Sequence, residues 1–336
     1  MSSTPKKVAL LRGDGIGPEI ADAVLTVLDA AGAAIEWVEV PAGEPAIAAQ
    51  GDPLPEETVE TIRSLGCALK SPIATPIGSG FRSVNVRLRK ELDLFANYRP
   101  VRTLPGVKSR FDGIDLIFFR ENTEGLYSGL EHEIVPGVVT SLKVSTRRAS
   151  LRIAEFAFAH AERLRRRKIT AVHKANILKL SDGLALECYR SVAEQHPSIE
   201  YEERIIDATA MQLVMYPERF DVLLMENLYG DILSDLGAGL VGGLGLAPSA
   251  NYGEQCGVFE AVHGTAPDIA GKGIANPTAL LLSAVELLRY ISQDAVADRV
   301  STALLTTLRE QRLTTPDLGG VASTMEFATH VNAHLS

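Results

Sequence analysis

Short apolar runs of strand length alternate along the chain with longer segments whose apolar residues recur at helical spacing. Helical spacing is clearest after the glycine-rich turn at 13–17 and in the segments 147–167 and 180–195. The strand-like runs lie at 6–11, 33–40, 114–119, 168–173, 199–206 and 220–225. This alternation predicts an α/β fold around a largely parallel sheet. Polar residues follow most of the runs, and ligands usually bind at such strand ends.

One segment breaks this rhythm. "EHEIVPGVVTSLKVST" at 131–146 has two β-rich halves on either side of Pro136 and Gly137. The pattern predicts a hairpin arm. The length of 336 residues fits roughly two domains of ordinary size.

Composition excludes several classes of function. The net charge of −9 argues against a nucleic-acid-binding protein, because no basic excess is present to neutralise phosphates. The three cysteines are widely spaced and predict neither a disulfide framework nor a cysteine zinc site. No apolar run approaches the roughly 18 residues that a membrane span needs.

A glycine-rich turn near the N-terminus raises the question of a Rossmann dinucleotide site. Glu39 lies at about the distance expected of a ribose-binding carboxylate. The glycines are Gly13, Gly15 and Gly17, whereas the Rossmann pattern needs its third glycine where this chain has Pro18. Proline there favours the first turn of a helix. We therefore interpret the segment as a strand-to-helix turn that brings backbone close to some ligand.

Two aspartates stand four residues apart in "NLYGDILSDLGAGL" at 227–240, an otherwise uncharged segment. In a helix, Asp231 and Asp235 share one face and repel each other unless a cation offsets them. Carboxylate oxygens suit Mg²⁺ or Mn²⁺. Asp207 ends the strand-like run "EERIID" and could join them at a strand-end site. The alternative is that Asp231 caps the helix and Asp235 binds a distant arginine.

Basic and hydroxyl side chains are concentrated at 81–100. Arg89 and Arg99 can each bind a carboxylate through two parallel hydrogen bonds, and Ser83 and Asn85 offer further hydrogen bonds. The alternative is a surface helix with charge pairs four residues apart. A metal site beside an arginine cluster would indicate a substrate with several carboxylates.

Two further side chains carry acid–base chemistry. Tyr127 lies in the polar stretch "RENTEGLYSG", interpreted as a loop after a strand, and Lys174 lies where a strand runs into a helix. A lysine near a metal can act as a general base. Either residue is equally compatible with an ordinary exposed side chain.

These segments together resemble the β-decarboxylating dehydrogenases, which include isocitrate, 3-isopropylmalate, homoisocitrate and tartrate dehydrogenases. The resemblance runs from about residue 7 to about residue 330. It implies a metal-dependent oxidation of a 2-hydroxy acid by NAD(P)⁺, followed by loss of the β-carboxylate. The motifs that carry it are "LLRGDGIGPEI", "RENTEGLYSG", "AVHKANI", "NLYGDILSDL", "GLVGGLGLAPSANYG" and "VHGTAPDIAGKGIANPTALLLSAVELLR".

The resemblance also implies a fold: the isopropylmalate dehydrogenase-like two-domain α/β fold, which is not a Rossmann fold. A large cofactor-binding domain is expected at 1–94 plus 243–336. A small domain is expected at 95–242, with the dimer interface, the metal aspartates and the β-arm at about 131–146.

The substrate branch depends on residues 83–89. Ser83, Asn85 and Arg89 match the Ser-x-Asn-x-x-x-Arg pattern of isocitrate enzymes, whereas isopropylmalate enzymes place apolar residues on this helix. The chain therefore looks most like the short NAD-type isocitrate dehydrogenases. Homoisocitrate, 3-isopropylmalate, tartrate and malate remain alternative substrates, and a regulatory subunit is a further alternative.

The cofactor branch depends on residues 268 and 269. NADP enzymes of the family have Lys and Tyr there, whereas this chain has Asp268 and Ile269, and a carboxylate would repel a 2′-phosphate. The resemblance therefore implies NAD. The cofactor-binding residues that it implies are Thr75, His263, Gly264, Thr265, Ala266, Asp268, Ile269 and Asn276.

The resemblance also implies roles for the site residues. Asp207, Asp231 and Asp235 would hold Mg²⁺ or Mn²⁺. Lys174 would be the base and Tyr127 the acid, with Lys174 and Asp207 reaching across from a second subunit of a homodimer or higher homo-oligomer. The carboxylates of a tricarboxylic substrate would be held by Arg89, Arg99 and Arg120, beside Ser83 and Asn85. A cytoplasmic location is expected, or the mitochondrial matrix in a eukaryote.

Overall fold

The computed structural model of the chain describes residues 4–74 and 83–335. The strands in this part are β1 (Lys6–Leu11), β2 (Ile35–Glu39), β3 (Cys67–Lys70), β4 (Ala96–Arg102), β5 (Asp115–Glu121), β6 (Gly125–Val135), β7 (Val138–Val144), β8 (Lys168–His173), β9 (Glu200–Ile205), β10 (Val222–Met225), β11 (Pro248–Tyr252) and β12 (Gly257–Ala261). The helices are α1 (Gly17–Ala30), α2 (Glu44–Gln50), α3 (Glu56–Leu65), α4 (Val84–Glu91), α5 (Arg147–Arg163), α6 (Ser181–Ala193), α7 (Ile206–Met215), α8 (Asn227–Leu240), α9 (Thr278–Tyr290), α10 (Asp294–Glu310) and α11 (Thr324–Ala333).

Ten of the strands form one sheet, in the order β2-β1-β3-β12-β11-β4-β5-β10-β8-β9. The pairings β12–β11, β11–β4 and β4–β5 at its centre are antiparallel, and all the outer pairings are parallel. The prediction of an α/β fold with a mostly parallel sheet is therefore confirmed. The sheet continues across the predicted domain boundaries, because β11 pairs with β4. Those boundaries stay a prediction.

The sheet is buried on both faces, which is why its strands read as apolar runs rather than as alternating patterns. On β5, Phe119 packs with Ile153 and Phe158 of α5, and Phe118 packs on the opposite face with Leu233 of α8. Among the described residues, no helix combines the length and the apolar composition needed to cross a membrane.

The predicted arm is a two-stranded antiparallel hairpin, β6–β7, separate from the main sheet. It begins at Gly125, which pairs with Val144, and so it starts earlier than the expected residue 131. Tyr127 consequently lies on β6, and the prediction that it lies in a loop is wrong. The polar stretch around it lies between the pairs Gly125–Val144 and Leu130–Leu142, where the register of the hairpin shifts in a bulge or irregularity.

Helix α8 lies against β5 and turns two of its three glycines toward that strand. A Cβ atom on Gly230 would lie 2.5 Å from Cβ of Arg120, and one on Gly237 would lie 2.7 Å from Cε2 of Phe118. Both distances are below normal carbon–carbon contact, so the helix can approach the sheet only where side chains are missing. The third glycine, Gly239, faces away, and nothing lies within 4 Å of the position its Cβ would take.

Gly237→Ala and Gly239→Ala are therefore expected to change stability in opposite directions. Gly237→Ala should lower the free energy of unfolding by about 1–3 kcal/mol, because the new methyl group overpacks against Phe118. Gly239→Ala should raise it by about 0.5–1 kcal/mol, because alanine is the better helix former. Urea unfolding followed by circular dichroism measures both; equal effects would contradict this packing of α8.

Candidate active site

A cleft of about 250 Å³ lies between α4, β4, β5, β6 and α8, with the loop after β12 at its rim. It brings together most of the residues predicted for substrate, catalysis and metal, although they come from distant parts of the chain. The predicted residues that line it are Ser83, Asn85, Arg89, Arg99, Arg120, Tyr127, Asp231, Asp235, His263 and Gly264.

The two aspartates of α8 share one helix face, as predicted, but they do have basic partners. Oδ1 of Asp235 lies 2.8 Å from a guanidinium nitrogen of Arg99 on β4. Asp231 accepts a hydrogen bond from Arg120 on β5 and another, at 2.5 Å, from the Tyr127 hydroxyl. The suggestion that Asp231 caps the helix is wrong, because Glu226 is the N-cap and accepts from the backbone N–H of Tyr229 at 3.0 Å.

Burial and neighbouring charges shift the pKa values of Arg120, Asp231 and Tyr127. Arg120 is 1% exposed, and burial together with the charges of Arg89 and Arg99 lowers its pKa to about 10. Burial by itself would raise the pKa of Asp231, but the charge of Arg120 and the hydrogen bond from Tyr127 outweigh it and hold that pKa below the usual value. Burial and the neighbouring Asp231 raise the pKa of Tyr127, so its phenol stays protonated at neutral pH.

A second ionic group at the cleft was missed by the sequence reasoning. The carboxylate of Glu260, on β12, accepts from Lys70 Nζ at 2.6 Å, from Asn251 at 2.7 Å and from Arg89 at 3.2 Å. Burial alone would raise the pKa of Glu260, but the charges of Lys70 and Arg89 hold it well below its usual range. The available signal was a charged residue within each of two short apolar runs, "CALK" and "GVFEA".

Several polar atoms on the cleft wall are buried without a hydrogen-bond partner. They are Oδ1 of Asn85, Nε of Arg89, Nε of Arg99 and Nε2 of His263. Buried polar atoms are nearly always paired in folded proteins, so exceptions grouped on one cleft mark the place where a polar ligand binds. Two guanidinium donors and one amide oxygen fit a ligand that carries carboxylate and hydroxyl groups.

A second cleft, of about 500 Å³, adjoins the first and shares His263 and Gly264 with it. Ala266, Ile269 and Asn276 also line it, and Asn276 donates to Asp317 at 2.9 Å. A wall of this kind, mainly apolar with a few polar groups, fits a nucleotide. Asp268 is exposed beside Ile269, and the Thr75 prediction lies outside the described residues.

The glycine-rich turn after β1 packs through backbone atoms against the cofactor loop, residues 262–277, which lines the second cleft. Ile16 N–H donates to the Thr265 carbonyl at 3.0 Å, and a Cβ on Gly15 would lie 2.1 Å from the same oxygen. Glu39 is bound to Arg12, at 2.8 and 3.0 Å. The rejection of a Rossmann site therefore agrees with what the turn does: its glycines allow a close backbone contact.

Lys174 and Asp207 contact each other outside the cleft, with Lys174 Nζ 2.6 Å from Oδ1 of Asp207. Asp207 lies in the first turn of α7, just after β9 instead of at its end. Among the described residues, the three predicted metal aspartates do not gather their oxygens within 4.8 Å of one another. Within one chain, Asp207 therefore does not join Asp231 and Asp235. Its contribution from a second subunit stays a prediction.

Comparison with known proteins gives a consistent picture. The family described as "Isocitrate/isopropylmalate dehydrogenase" matches residues 7–331. The chain is 54% identical over 335 residues to the NAD isocitrate dehydrogenase catalytic subunit 5, mitochondrial, of Arabidopsis thaliana, covering 99% of this chain and 90% of that protein. It is also 54% identical over 303 residues to the chloroplastic 3-isopropylmalate dehydrogenase of Solanum tuberosum, covering 90% of this chain and 85% of that protein.

The crystal structure of isocitrate dehydrogenase from Methylococcus capsulatus superposes with a TM-score of 0.95 at 47% identity, covering 98% of this chain and 99% of that one. The expected cytoplasmic location conflicts with the name of the Arabidopsis relative, which places that protein in mitochondria.

Replacing Glu260 should change how stability depends on pH. The folded-state pKa of Glu260 lies below its unfolded value of about 4.3, so its stabilisation is present above that pH and is lost as the pH falls toward the folded-state value. Glu260→Gln should therefore lower stability at neutral pH and flatten the loss between about pH 5 and about pH 3. Thermal unfolding at a series of pH values measures this.

Glu286→Gln is the control with the opposite sign. Burial raises the pKa of Glu286 in the folded protein, so this group adds stability as the pH falls through its raised pKa. Its removal should make the acid loss steeper. A Glu260→Gln curve parallel to that of the unmodified protein would show that Glu260 is not held ionised.

Proposed function

The chain belongs to the isocitrate/isopropylmalate dehydrogenase family, and from this premise we propose that it oxidises isocitrate with NAD⁺ and decarboxylates the product to 2-oxoglutarate. The observation that carries the proposal is the composition of the first cleft. Arginines at 89, 99 and 120 face two aspartates and a tyrosine across it. Such a cleft supports a substrate with several carboxylates and one oxidisable hydroxyl.

Overall identity does not choose between the two named substrates, because relatives named for each acid are equally similar to this chain. The choice depends on α4. Ser83 precedes its first turn and lines the cleft, and its hydroxyl makes no helix-capping hydrogen bond. Asn85 also faces the cleft with an unpaired oxygen. A hydroxyl and an amide on the cleft wall favour a substrate carboxylate over an isopropyl group. An isopropyl group would leave both polar groups without hydrogen-bond partners, and this would weaken its binding.

The residues divide the chemistry between them. Arg89, Arg99 and Arg120 bind and orient the carboxylates of the substrate through charge-assisted hydrogen bonds. Two carboxylates on one face suit a hard divalent cation, so Asp231 and Asp235 would hold Mg²⁺ or Mn²⁺, which supplies Lewis-acid stabilisation of negative charge on the substrate oxygens.

Proton transfer falls to two side chains. We assign acceptance of the hydroxyl proton to Lys174. NAD⁺, when bound, would supply the acceptor for the hydride lost from the carbon that bears this hydroxyl. Tyr127 donates a proton to the carbon that has lost CO₂, and its raised pKa keeps the phenol protonated for this step. The hydrogen bond to Asp231 orients the hydroxyl in the cleft.

NAD⁺ is the proposed cofactor, bound in the second cleft against His263, Gly264, Ala266, Ile269 and Asn276. The preference over NADP⁺ rests on Asp268 beside it. A carboxylate accepts hydrogen bonds from ribose hydroxyls and repels a 2′-phosphate.

The Arabidopsis relative is named as a subunit, and we infer that this chain also works in an assembly. The support is geometric: Lys174 and Asp207 contact each other outside the cleft. A neighbouring subunit could bring its own pair to that cleft. The name of the Arabidopsis relative equally allows a hetero-oligomer, and it favours the mitochondrial alternative if the host cell has mitochondria.

Substrate choice is tested by assaying the purified chain with NAD⁺ and Mg²⁺ on isocitrate, 3-isopropylmalate, homoisocitrate, tartrate and malate. Isocitrate should give the highest kcat/KM, and EDTA should abolish turnover.

Ser83→Leu should lower kcat/KM for isocitrate by about 10²-fold or more, because a buried carboxylate loses a donor and meets an apolar group. Ser83→Ala, which removes the hydroxyl without adding bulk, is the matched control. Faster turnover of another acid by the unmodified chain would refute the assignment.

Shared active sites are tested by mixing two inactive variants. Tyr127→Phe and Lys174→Met should each lower kcat by orders of magnitude while leaving the fold intact. If the two residues of a site come from different copies, coexpression should restore about a quarter of normal activity, because half of the dimers are mixed and each has one intact site. Full inactivity of the mixture would place both residues in one subunit or show that no homo-oligomer forms.

A further inference from the structure

Two histidines and a glutamate lie together at the C-terminal end of the chain. Glu310 is the last residue of α10, His330 lies on α11, and His334 follows one residue after the end of that helix. None of the three lines either cleft described above. Neither the proposed reaction nor the family resemblance gives them a role.

Their geometry is unusual for a hydrogen-bonded group. Oε2 of Glu310 lies 3.3 Å from Nε2 of His330 and 3.4 Å from Nε2 of His334. Both Nε2 atoms are buried from solvent, yet neither makes a hydrogen bond. All three side chains therefore direct a ligating atom toward one small region without satisfying one another.

The spacing matches a tetrahedral metal centre. Zinc binds histidine nitrogen at about 2.0–2.1 Å and carboxylate oxygen at about 2.0–2.2 Å, which puts neighbouring ligand atoms about 3.3–3.5 Å apart in a tetrahedron. The two nitrogen–oxygen separations lie in this range, and all the ligating atoms are within 4.8 Å of one another. The rings of His330 and His334 lie side by side at the end of α11, with their centroids 5.0 Å apart.

The negative charge around Glu310 also favours binding of a cation. The carboxylate of Glu310 lies at the C-terminus of α10, where the partial negative charge of the helix end disfavours an anion. In the part of the chain that the structure describes, its ion-pair partners within 4.0 Å are the two histidines, with no lysine or arginine among them. A divalent ion bound by the three side chains would offset this negative charge.

We propose that Glu310, His330 and His334 form a binding site for a divalent transition-metal ion, with Zn²⁺ as the best match, that fastens α11 to α10. Two imidazoles and one carboxylate suit Zn²⁺ better than Mg²⁺, which prefers oxygen ligands. With three protein ligands the fourth position is left for water. The ion would hold α11 at its end, while the other end is already fixed to the cofactor loop by the hydrogen bond from Thr324 to the Ala275 carbonyl at 2.7 Å.

The test uses Co²⁺ as a spectroscopic substitute for Zn²⁺, with the whole chain in excess Mg²⁺ to compete at the oxygen ligands of the active site. The unmodified protein should bind one Co²⁺ with the intense visible absorption of tetrahedral coordination, and Zn²⁺ should displace it. His330→Gln and His334→Gln should each weaken binding by more than the 10–100-fold typical of losing a supporting group, because each loses a ligand.

His196→Gln is the matched control. His196 also contacts a carboxylate, Nδ1 to Oε2 of Glu162 at 3.1 Å, but in a pair without a third ligand. This variant should bind Co²⁺ as the unmodified protein does. Circular dichroism without metal establishes that each variant folds, and Zn²⁺ should raise the Tm of the unmodified protein and of His196→Gln only.

Three results would overturn the proposal. The first is that the unmodified protein binds no Co²⁺ in excess Mg²⁺, which would make the cluster an ordinary group of histidine–glutamate ion pairs. The second is that His330→Gln and His334→Gln keep the ion. The third is that they lose it no more than His196→Gln does.

Discussion

The contact between α8 and the two central strands β4 and β5 is the constraint on which the site depends. Arg120 is almost fully buried, and its guanidinium reaches Asn227 and Asp231 on α8. A buried guanidinium without these oxygens would be strongly destabilising. The contact requires Gly230, because any side chain there would occupy the space of Arg120. The same few residues therefore fix the distance between helix and sheet and set the charges that face the cleft.

This arrangement explains how a stable interior can also bind a highly charged ligand. Each lysine and arginine of the cleft already has a carboxylate partner: Arg99 has Asp235, Arg120 has Asp231, and Lys70 and Arg89 share Glu260. The pairs make burial of the charges tolerable, while unpaired nitrogens of Arg89 and Arg99 remain on the wall. Because these groups are held in place before a ligand arrives, binding needs little reorganisation.

Sequence reasoning succeeded where the signal was local. The strand runs, the hairpin and the shared helix face of Asp231 and Asp235 follow from periodicity, which is a property of neighbouring residues. It failed where the arrangement of the strands decided the outcome. Tyr127 was assigned to a loop because its neighbours are polar, and the Lys70–Glu260 pair joins residues 190 positions apart. Register between distant strands brings such residues together, and no short window of sequence contains it.

Residue type and spacing within one element were enough to predict the α/β class, to exclude a Rossmann turn and to name the side chains that can carry chemistry. Which of these side chains lie together follows from the folded chain. It gave each aspartate of α8 an arginine from a different strand, and it left Asp207 with Lys174 outside the cleft. Burial and strand order bring oppositely charged side chains together, and both arise only when the chain has folded.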